Sequence, residues 1–492
     1  MAAKGKTLAN LGLTTARASH LLVQGLAVDS REVRPGYLFA ALPGARVHGA
    51  EFAEYACRQG ASAILTDPQG ADFIARTLLE HKAEICVVDD PRQALAGAAA
   101  LFFGAQPKVM VAVTGTNGKT SVSTFCRQIW TQIGLSAVNM GTTGVEGAWS
   151  APLNHTTPEP ITLHRALAQA AEAGVTHAAM EASSHGLDQK RLDGVVLSVA
   201  GFTNFTQDHL DYHATFDAYF AAKAGLFDRV LGPQGIAVIN VDDAKAADLL
   251  KGCAARGQST ITVGRGEADF QILGQKYDAT GQDILFSWQG DNHQVRVPLV
   301  GGFQGENLML AAAMVLAAGG EAEEVFASLK AVRSVRGRME LAATRSNGAS
   351  VYVDYAHTPD AVATALRALR PHVMGRLVVV LGAGGDRDPG KRVLMGQAAA
   401  EFADIVFVTD DNPRGEDPAD IRTMVMAGVA DATDVADRAE AILRAVDCLQ
   451  SGDTLLIAGK GHESGQIIGD DVFPFDDVEQ ASIAVAALEG EY

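Results

Sequence analysis

Short apolar, β-rich runs recur along the chain, each followed at once by a polar or glycine-rich stretch. They are 109-VMVAV before TGTNGKT, 177-HAAM before EASSH, 350-SVYV before DYAHTPD, 377-LVVVL before GAGGDRD, 404-DIVFV before TDDNPR and 454-TLLIA before GKGHES. Between them lie Ala- and Leu-rich stretches with helical character, such as 361-AVATALRALR. Strands alternating with helices predict doubly wound α/β domains with mainly parallel sheets. In such sheets ligands bind beyond the carboxyl ends of strands, where these polar loops fall.

The 492 residues are too many for one core. The stretch 103-FGAQPK precedes the first nucleotide-type strand, and 333-RSVRGRME separates an Ala-rich helix from a new series of strands. Three domains are therefore expected, at 1–106, 107–336 and 337–492. The central one, which carries TGTNGKT, is expected to be a P-loop-type parallel-sheet ATPase domain, and the last to be Rossmann-like.

Composition narrows the class. Hydrophobic residues make up 48% and charged residues 20%, as in an ordinary soluble protein. No apolar run is long enough to cross a bilayer, and MAAKGKTLANLGL lacks the apolar segment of a signal peptide, so no membrane insertion and a cytoplasmic location are expected. Cys57, Cys86, Cys126, Cys253 and Cys448 form no C-x-x-C pair, which speaks for reduced thiols and against a Cys-based zinc site. A formal charge of −18 disfavours nucleic acid but leaves small anionic substrates open, since these need only a local cluster of cations. A monomer is expected.

The stretch 110-MVAVTGTNGKTSVSTF-125 joins a strand to a helix. After Lys119 the apolar residues Val122, Phe125, Cys126, Ile129, Trp130 and Ile133 keep helical spacing, and Gly134 stands where the helix would stop. Gly115, Thr116, Asn117 and Gly118 would turn backbone N–H groups toward an anion, Lys119 would reach the outer phosphates of a nucleotide, and the Thr120 hydroxyl would hold Mg²⁺. The usual loop pattern needs a glycine where Val113 stands, so this is a variant class.

Other stations are ambiguous on their own. Glu181, directly after a strand, suits either a Mg²⁺ ligand or a satisfied surface or N-cap carboxylate. In 204-NFTQDHLDYH-213 the cluster Asp208, His209, Asp211 and His213 reads as a metal site or as a polar turn. Lys223 is indistinguishable by spacing from a solvated helical lysine, and Asn307 from an N-cap. Arg414, in 409-TDDNPRGEDP-418, suits either a surface ion pair or a bidentate grip on a carboxylate. A dinucleotide reading of GAGGDRD fails, because Arg387 occupies the third glycine position.

Taken together, TGTNGKTS, the glutamate of EASSH, N-x-x-x-D-H-L-D-x-H, Y-x-x-A-K, HTTPEP, DNPR and GKGHE resemble the Mur ligase family, ATP-dependent amide-bond ligases of bacterial cell-wall synthesis. The resemblance runs from Ser30 to Glu463. It implies ATP as co-substrate and two Mg²⁺ ions, with Glu181, His209 and a carbamylated Lys223 serving the metals. It implies that Asn307, Arg338 and Asp354 meet the nucleotide, which would lie between two domains whose closure assembles the site. Ser30, in 29-DSREVRPGYLFAALPG-44, would contact a UDP moiety. Thr156, Thr157, Ser183, Gln189 and Arg191 would hold the muramoyl peptide. Arg387, Asp411, Asn412, Pro413, Arg414, Gly459 and Glu463 would hold the incoming amino acid.

The function so implied is addition of meso-diaminopimelate to UDP-N-acetylmuramoyl-L-Ala-D-Glu through an acyl phosphate, in peptidoglycan precursor synthesis. Arg414 favours diaminopimelate over L-lysine, which has no distal carboxylate. The rivals are the same ligation with L-lysine or another diamino acid, a P-loop ATPase or switch without ligase activity, and a folate-type glutamate ligase, against which HTTPEP and DNPR speak.

Overall fold

A computed structural model describes residues 5–15, 18–44, 46–77, 82–206 and 212–490. Its contacts divide the chain into two compact units: Met1–Asp269 with Leu310–Val325, and Phe270–Met309 with Phe326–Tyr492.

The first unit carries two layered sheets. Near its N-terminus the strands Gly25–Ala27, Tyr37–Ala40, Ala63–Thr66 and Glu84–Val87 pair in parallel, in chain order. Its larger sheet places Val109–Thr114 between His177–Glu181 and Leu197–Phe202, both parallel to it. Ala137–Gly141 lies outside the first neighbour, and Leu231–Asn240 with Ser259–Gly264 outside the second. The chain thus leaves the middle strand on one side and later returns on the other. That reversal opens a crevice at the strand's carboxyl end, and the glycine-rich loop sits there.

Val113 explains the variant loop. It is buried within the strand and pairs with Glu181 on one side and Gly201 on the other. The strand therefore runs on to Thr114, and the turn starts at Gly115. The expected helix follows as Lys119–Gln132, packed through Val122, Phe125, Ile129 and Trp130, with Gly134 left-handed at φ 83° beyond its end.

The helix Pro160–Glu172 buries His164, whose Nε2 has no hydrogen-bond partner and lies 2.7 Å from where a Cβ on Gly194 would stand. Burial pushes this imidazole down to about 4. The unfolded chain takes up the proton near the ordinary value, so it binds more protons than the folded chain between those limits. Stability is therefore complete above about pH 6.5 and is lost as pH falls toward 4. In denaturant titrations at pH 7 and pH 5, His164→Leu is expected to shrink the acid loss by about 2 kcal/mol. An unchanged pH difference would remove His164 as its source.

In the second unit, Phe270–Asp278, Gly281–Trp288 and Asp291–Val297 form an antiparallel meander. A six-stranded sheet has the order Glu340–Thr344, Ser350–Asp354, Thr454–Ala458, Leu377–Leu381, Ile405–Val408, Thr433–Asp434. Only the first pairing is antiparallel. All the apolar runs read from the sequence are strands, and the polar stretches after them gather at the parallel strands' carboxyl ends. Among the described residues no helix is long and apolar enough to cross a membrane.

Candidate active site

The glycine-rich turn is built so that only glycine fits its first position. Gly115 has φ 148°, and a Cβ there would fall 1.9 Å from Thr203 Oγ1. Gly118, at φ 86°, caps the following helix, whose first-turn N–H groups carry the positive end of the helix dipole. The loop is pinned from the neighbouring strand end. Thr116 N donates to Asn204 O at 2.8 Å, Asn117 N to Asn204 Oδ1 at 2.9 Å, and Thr203 Oγ1 to Asn117 O at 2.6 Å.

Two ammonium groups converge on one carbonyl. Lys119 Nζ donates to Gly115 O at 2.9 Å and Thr116 O at 2.8 Å, and Lys223 Nζ donates to Gly115 O at 2.6 Å. Lys223 is only 2% exposed and sits 4.6 Å above the Tyr219 ring, so the solvated-lysine alternative is wrong. Thr215 caps its helix, Phe216–Gly225, by accepting from Ala218 N. Tyr219 in turn meets Thr116 through its hydroxyl at 3.2 Å.

Glu181 is the last residue of its strand and is 1% exposed. Its carboxylate accepts from Thr120 Oγ1 at 3.0 Å and from Thr142 N at 2.8 Å. Gly141 gives it room: a Cβ there would lie 2.0 Å from Glu181 Oε1. The carboxylate is thus satisfied but not on the surface, and Ser183, not Glu181, caps the helix that follows. A buried carboxylate touching a threonine hydroxyl at a phosphate loop is the oxygen donor set a hard divalent cation takes, so these residues fit Mg²⁺. His209, with Asp208 and Asp211, lies outside the described residues.

The same strand end gathers the residues expected to meet the peptide. Thr157 Oγ1 donates to Glu181 O at 2.9 Å and accepts from Ser183 N at 3.0 Å. Arg191 Nη1 donates to Thr157 O at 2.6 Å and its Nη2 to Gln189 Oε1 at 2.7 Å. Thr156 and Thr142 share a hydroxyl contact at 3.0 Å. A continuous network therefore links Arg191, through Thr157, to the strand end that carries Glu181 and on to Thr120. Ser30 is buried in a turn whose preceding Asp29 accepts from Arg31 N, and among the described residues no hydrogen bond joins it to these groups.

In the second unit, Arg338 stacks on Tyr355 at 4.4 Å. Asp354 is buried and accepts from Met339 N at 2.8 Å; burial raises its carboxyl, against the opposing pull of Arg338. Gln304 donates to Arg338 O at 3.1 Å and lies 3.5 Å from Asn307 Nδ2. The helix starts at Gly302, so Asn307 is inside it and the N-cap alternative fails.

The loops of this unit that are expected to hold the amino acid interlock. Asn412 is buried and oriented on both sides: Nδ2 donates to Glu463 Oε2 at 2.9 Å, while Oδ1 accepts from Lys460 Nζ at 3.1 Å and Ile467 N at 2.9 Å. Gly459, at φ 118°, lies against Asp411, whose Oδ2 is 2.5 Å from where a Cβ would stand. Gly385 fits under Pro413, whose carbonyl oxygen would be 1.8 Å from an added Cβ. Arg414 Nη1 donates to Gly385 O at 2.9 Å, and Arg387 is exposed beside it, both side chains approaching Gly384.

Sequence reasoning missed Thr142, Thr203, Asn204, Tyr219 and Lys460. Asn204 heads the quoted N-x-x-x-D-H motif, Tyr219 opens Y-x-x-A-K and Lys460 stands inside GKGHE, so all three were within reach. Thr142 and Thr203 carried no signal.

A phosphate loop at the reversal point of a parallel sheet, with a buried carboxylate touching its threonine, defines a nucleotide-phosphate-binding α/β protein. The chain belongs to the Mur ligase family. Residues 22–103 match the model "Mur ligase family, catalytic domain", 113–315 the "Mur ligase middle domain" and 337–461 the "Mur ligase, glutamate ligase domain". It is 46% identical over 480 residues to the UDP-N-acetylmuramoyl-L-alanyl-D-glutamate–2,6-diaminopimelate ligase of Caulobacter vibrioides, covering 96% of this chain and 97% of that one. It is 48% identical to the ligase of the same name from Bradyrhizobium diazoefficiens, covering 95% and 96%. A solved structure of a protein of that name superposes with a TM-score of 0.73 at 34% identity, over 99% of each chain.

Proposed function

We propose that the chain is an ATP-dependent ligase that joins the amine of meso-diaminopimelate to the D-Glu carboxyl of UDP-N-acetylmuramoyl-L-Ala-D-Glu, in cytoplasmic peptidoglycan precursor synthesis. The observation that carries this reading is the interlocked loop pair in which Arg387 and Arg414 both approach Gly384 while Asn412, two residues before Arg414, is bonded to Glu463. It offers two cations for a distal carboxylate and one anion for the ammonium next to it. The names of the relatives above support the same substrate class. We also place the domain edges near residues 107 and 337.

The amides of Gly118, Lys119 and Thr120 at the helix start, together with the Lys119 ammonium, hold the triphosphate, since those of Thr116 and Asn117 are taken by Asn204. Arg191, Thr157, Ser183 and Gln189 hold the peptide acceptor, and Ser30 meets its uridine end. Asn307, Arg338 and Asp354 meet the nucleotide. Thr120 and Glu181, with His209 and carbamylated Lys223, would hold Mg²⁺, which when bound supplies positive charge between the two anionic substrates. A carboxylate oxygen of D-Glu attacks the γ-phosphorus and ADP leaves. The neutral amine then attacks the acyl carbon, releasing phosphate and a proton.

The test is ADP release with the UDP-linked dipeptide and either meso-diaminopimelate or L-lysine. Strong turnover is expected with the first and little with the second. Equal turnover with lysine would move the reading to a broader diamino-acid ligase, and ADP release independent of any amino acid would move it to an ATPase.

A further inference from the structure

The two loops that carry Arg387 and Arg414 are fastened to each other by a side-chain clamp. Gly385 N donates to Asn412 O at 2.9 Å, Gly415 N to Asp386 Oδ2 at 3.0 Å, and Asp386 N to Glu416 Oε1. Glu416 is gripped in turn by Arg392, from the helix Gly390–Phe402. Its Nη1 donates to Glu416 Oε2 at 2.9 Å and its Nη2 to Glu416 Oε1 at 2.8 Å. Arg392 Nη2 also donates to Gly384 O at 3.2 Å. The guanidinium is 0% exposed, whereas the carboxylate is one third exposed. One buried cation therefore holds both loops at once, one through a backbone carbonyl and the other through an acidic side chain.

The backbone on either side of this clamp is in an unfavourable region. Asp386 has φ 53° and Arg414 φ 51°, left-handed values that non-glycine residues seldom take. Such values persist only where the surroundings impose them. Here they turn the chain so that Arg414 Nη1 meets Gly385 O while Gly415 N faces the Asp386 carboxylate. A two-point grip on a carboxylate depends on donor placement to a fraction of an ångström, so the residues that impose this turn also set its selectivity.

We propose that Arg392, Glu416 and Asp386 are positioning residues that hold Arg387 and Arg414 for the distal carboxylate of the incoming amino acid, so that discrimination against lysine depends on an ion pair that touches no substrate. This rests on the diaminopimelate reading given above. The bidentate hydrogen bonds from Arg392 keep the Glu416 carboxyl below its ordinary range, so the pair stays ionised wherever the enzyme works.

Glu416→Ala and Asp386→Gly separate this role from simple folding. Glycine accepts φ 53° without a side chain, so Asp386→Gly removes the carboxylate and keeps the turn. In both variants the half-saturating concentration of meso-diaminopimelate is expected to rise roughly tenfold, the effect of one charge-assisted hydrogen bond. The half-saturating ATP concentration should stay within about twofold, and the ratio of kcat/KM for meso-diaminopimelate to that for L-lysine should fall about as far as the first affinity. Hydrogen exchange in the unliganded protein should quicken at the Asp386 amide in Glu416→Ala and at the Gly415 amide in Asp386→Gly, with the strand Leu377–Leu381 unchanged. Equal shifts for ATP and diaminopimelate, or faster exchange with diaminopimelate saturation unmoved, would overturn the proposal. If the unaltered protein fails to turn over meso-diaminopimelate, the underlying reading falls. The exchange pattern then decides whether the clamp exists: unchanged exchange at both amides refutes it, and local quickening supports it.

Discussion

Arg414→Ala is expected to raise the half-saturating concentration of meso-diaminopimelate by roughly a hundredfold while leaving that of ATP within about twofold. Two parallel charge-assisted hydrogen bonds to one carboxylate contribute about 3 kcal/mol, and each 1.4 kcal/mol is a factor of about ten. The position adds a complication, because φ at residue 414 is 51° and alanine tolerates that conformation no better than arginine does. The substitution also removes the bond from Nη1 to Gly385 O. Arg414→Lys supplies the control: it has a similar backbone preference and keeps the charge, but cannot form the planar two-point contact. It should fall between the other two proteins. L-Lysine presents no distal carboxylate, so its weak turnover should barely change in Arg414→Ala. Steady-state kinetics with both amino acids measure all of this. A diaminopimelate curve in Arg414→Ala that overlays the unaltered protein would end the assignment of Arg414 as the selecting cation.

Much of this site was legible because its parts are local. The strand Val109–Thr114, the turn at Gly115 and the helix Lys119–Gln132 follow one another in the chain, and each leaves a short-range trace: a β-rich run, glycines, then helical spacing. DNPR and GKGHE are likewise continuous. What could not be read is what the sheet brings together over long separations. Lys223 lies 108 residues from Gly115, and nothing in Y-F-A-A-K shows that its ammonium is buried against that carbonyl. Thr142 owes its place to strand pairing, which sets Ala137–Gly141 beside His177–Glu181 and lets its amide reach Glu181. Arg392 and Glu416 look like any helical arginine and loop acid in sequence. Only the parallel pairing of Leu377–Leu381 with Ile405–Val408 puts their loops side by side. Val113 is the converse case, a departure from the familiar phosphate-loop pattern that strand pairing accounts for.

Lys119→Ala should reduce turnover by a factor of about 10²–10³ with all substrates saturating, the loss typical when one positioned donor to developing charge is removed. The effect belongs in kcat, because on the proposed reading Lys119 meets the transferring phosphoryl group and acts most strongly as negative charge shifts toward ADP. The fold should survive. Lys119 opens its helix, alanine is a strong helix former, and the backbone bonds that pin the loop run from Thr116 and Asn117 to Asn204 without passing through the lysine side chain. Lys119 Nζ does hold Gly115 O and Thr116 O, but Lys223 holds the same Gly115 carbonyl at 2.6 Å, so the loop keeps a second tie. Thermal unfolding without nucleotide should therefore move by only a few degrees. ADP release under saturating substrates, set beside that unfolding midpoint, separates lost chemistry from lost structure. Turnover within threefold of the unaltered protein would place the phosphate-transfer cation elsewhere.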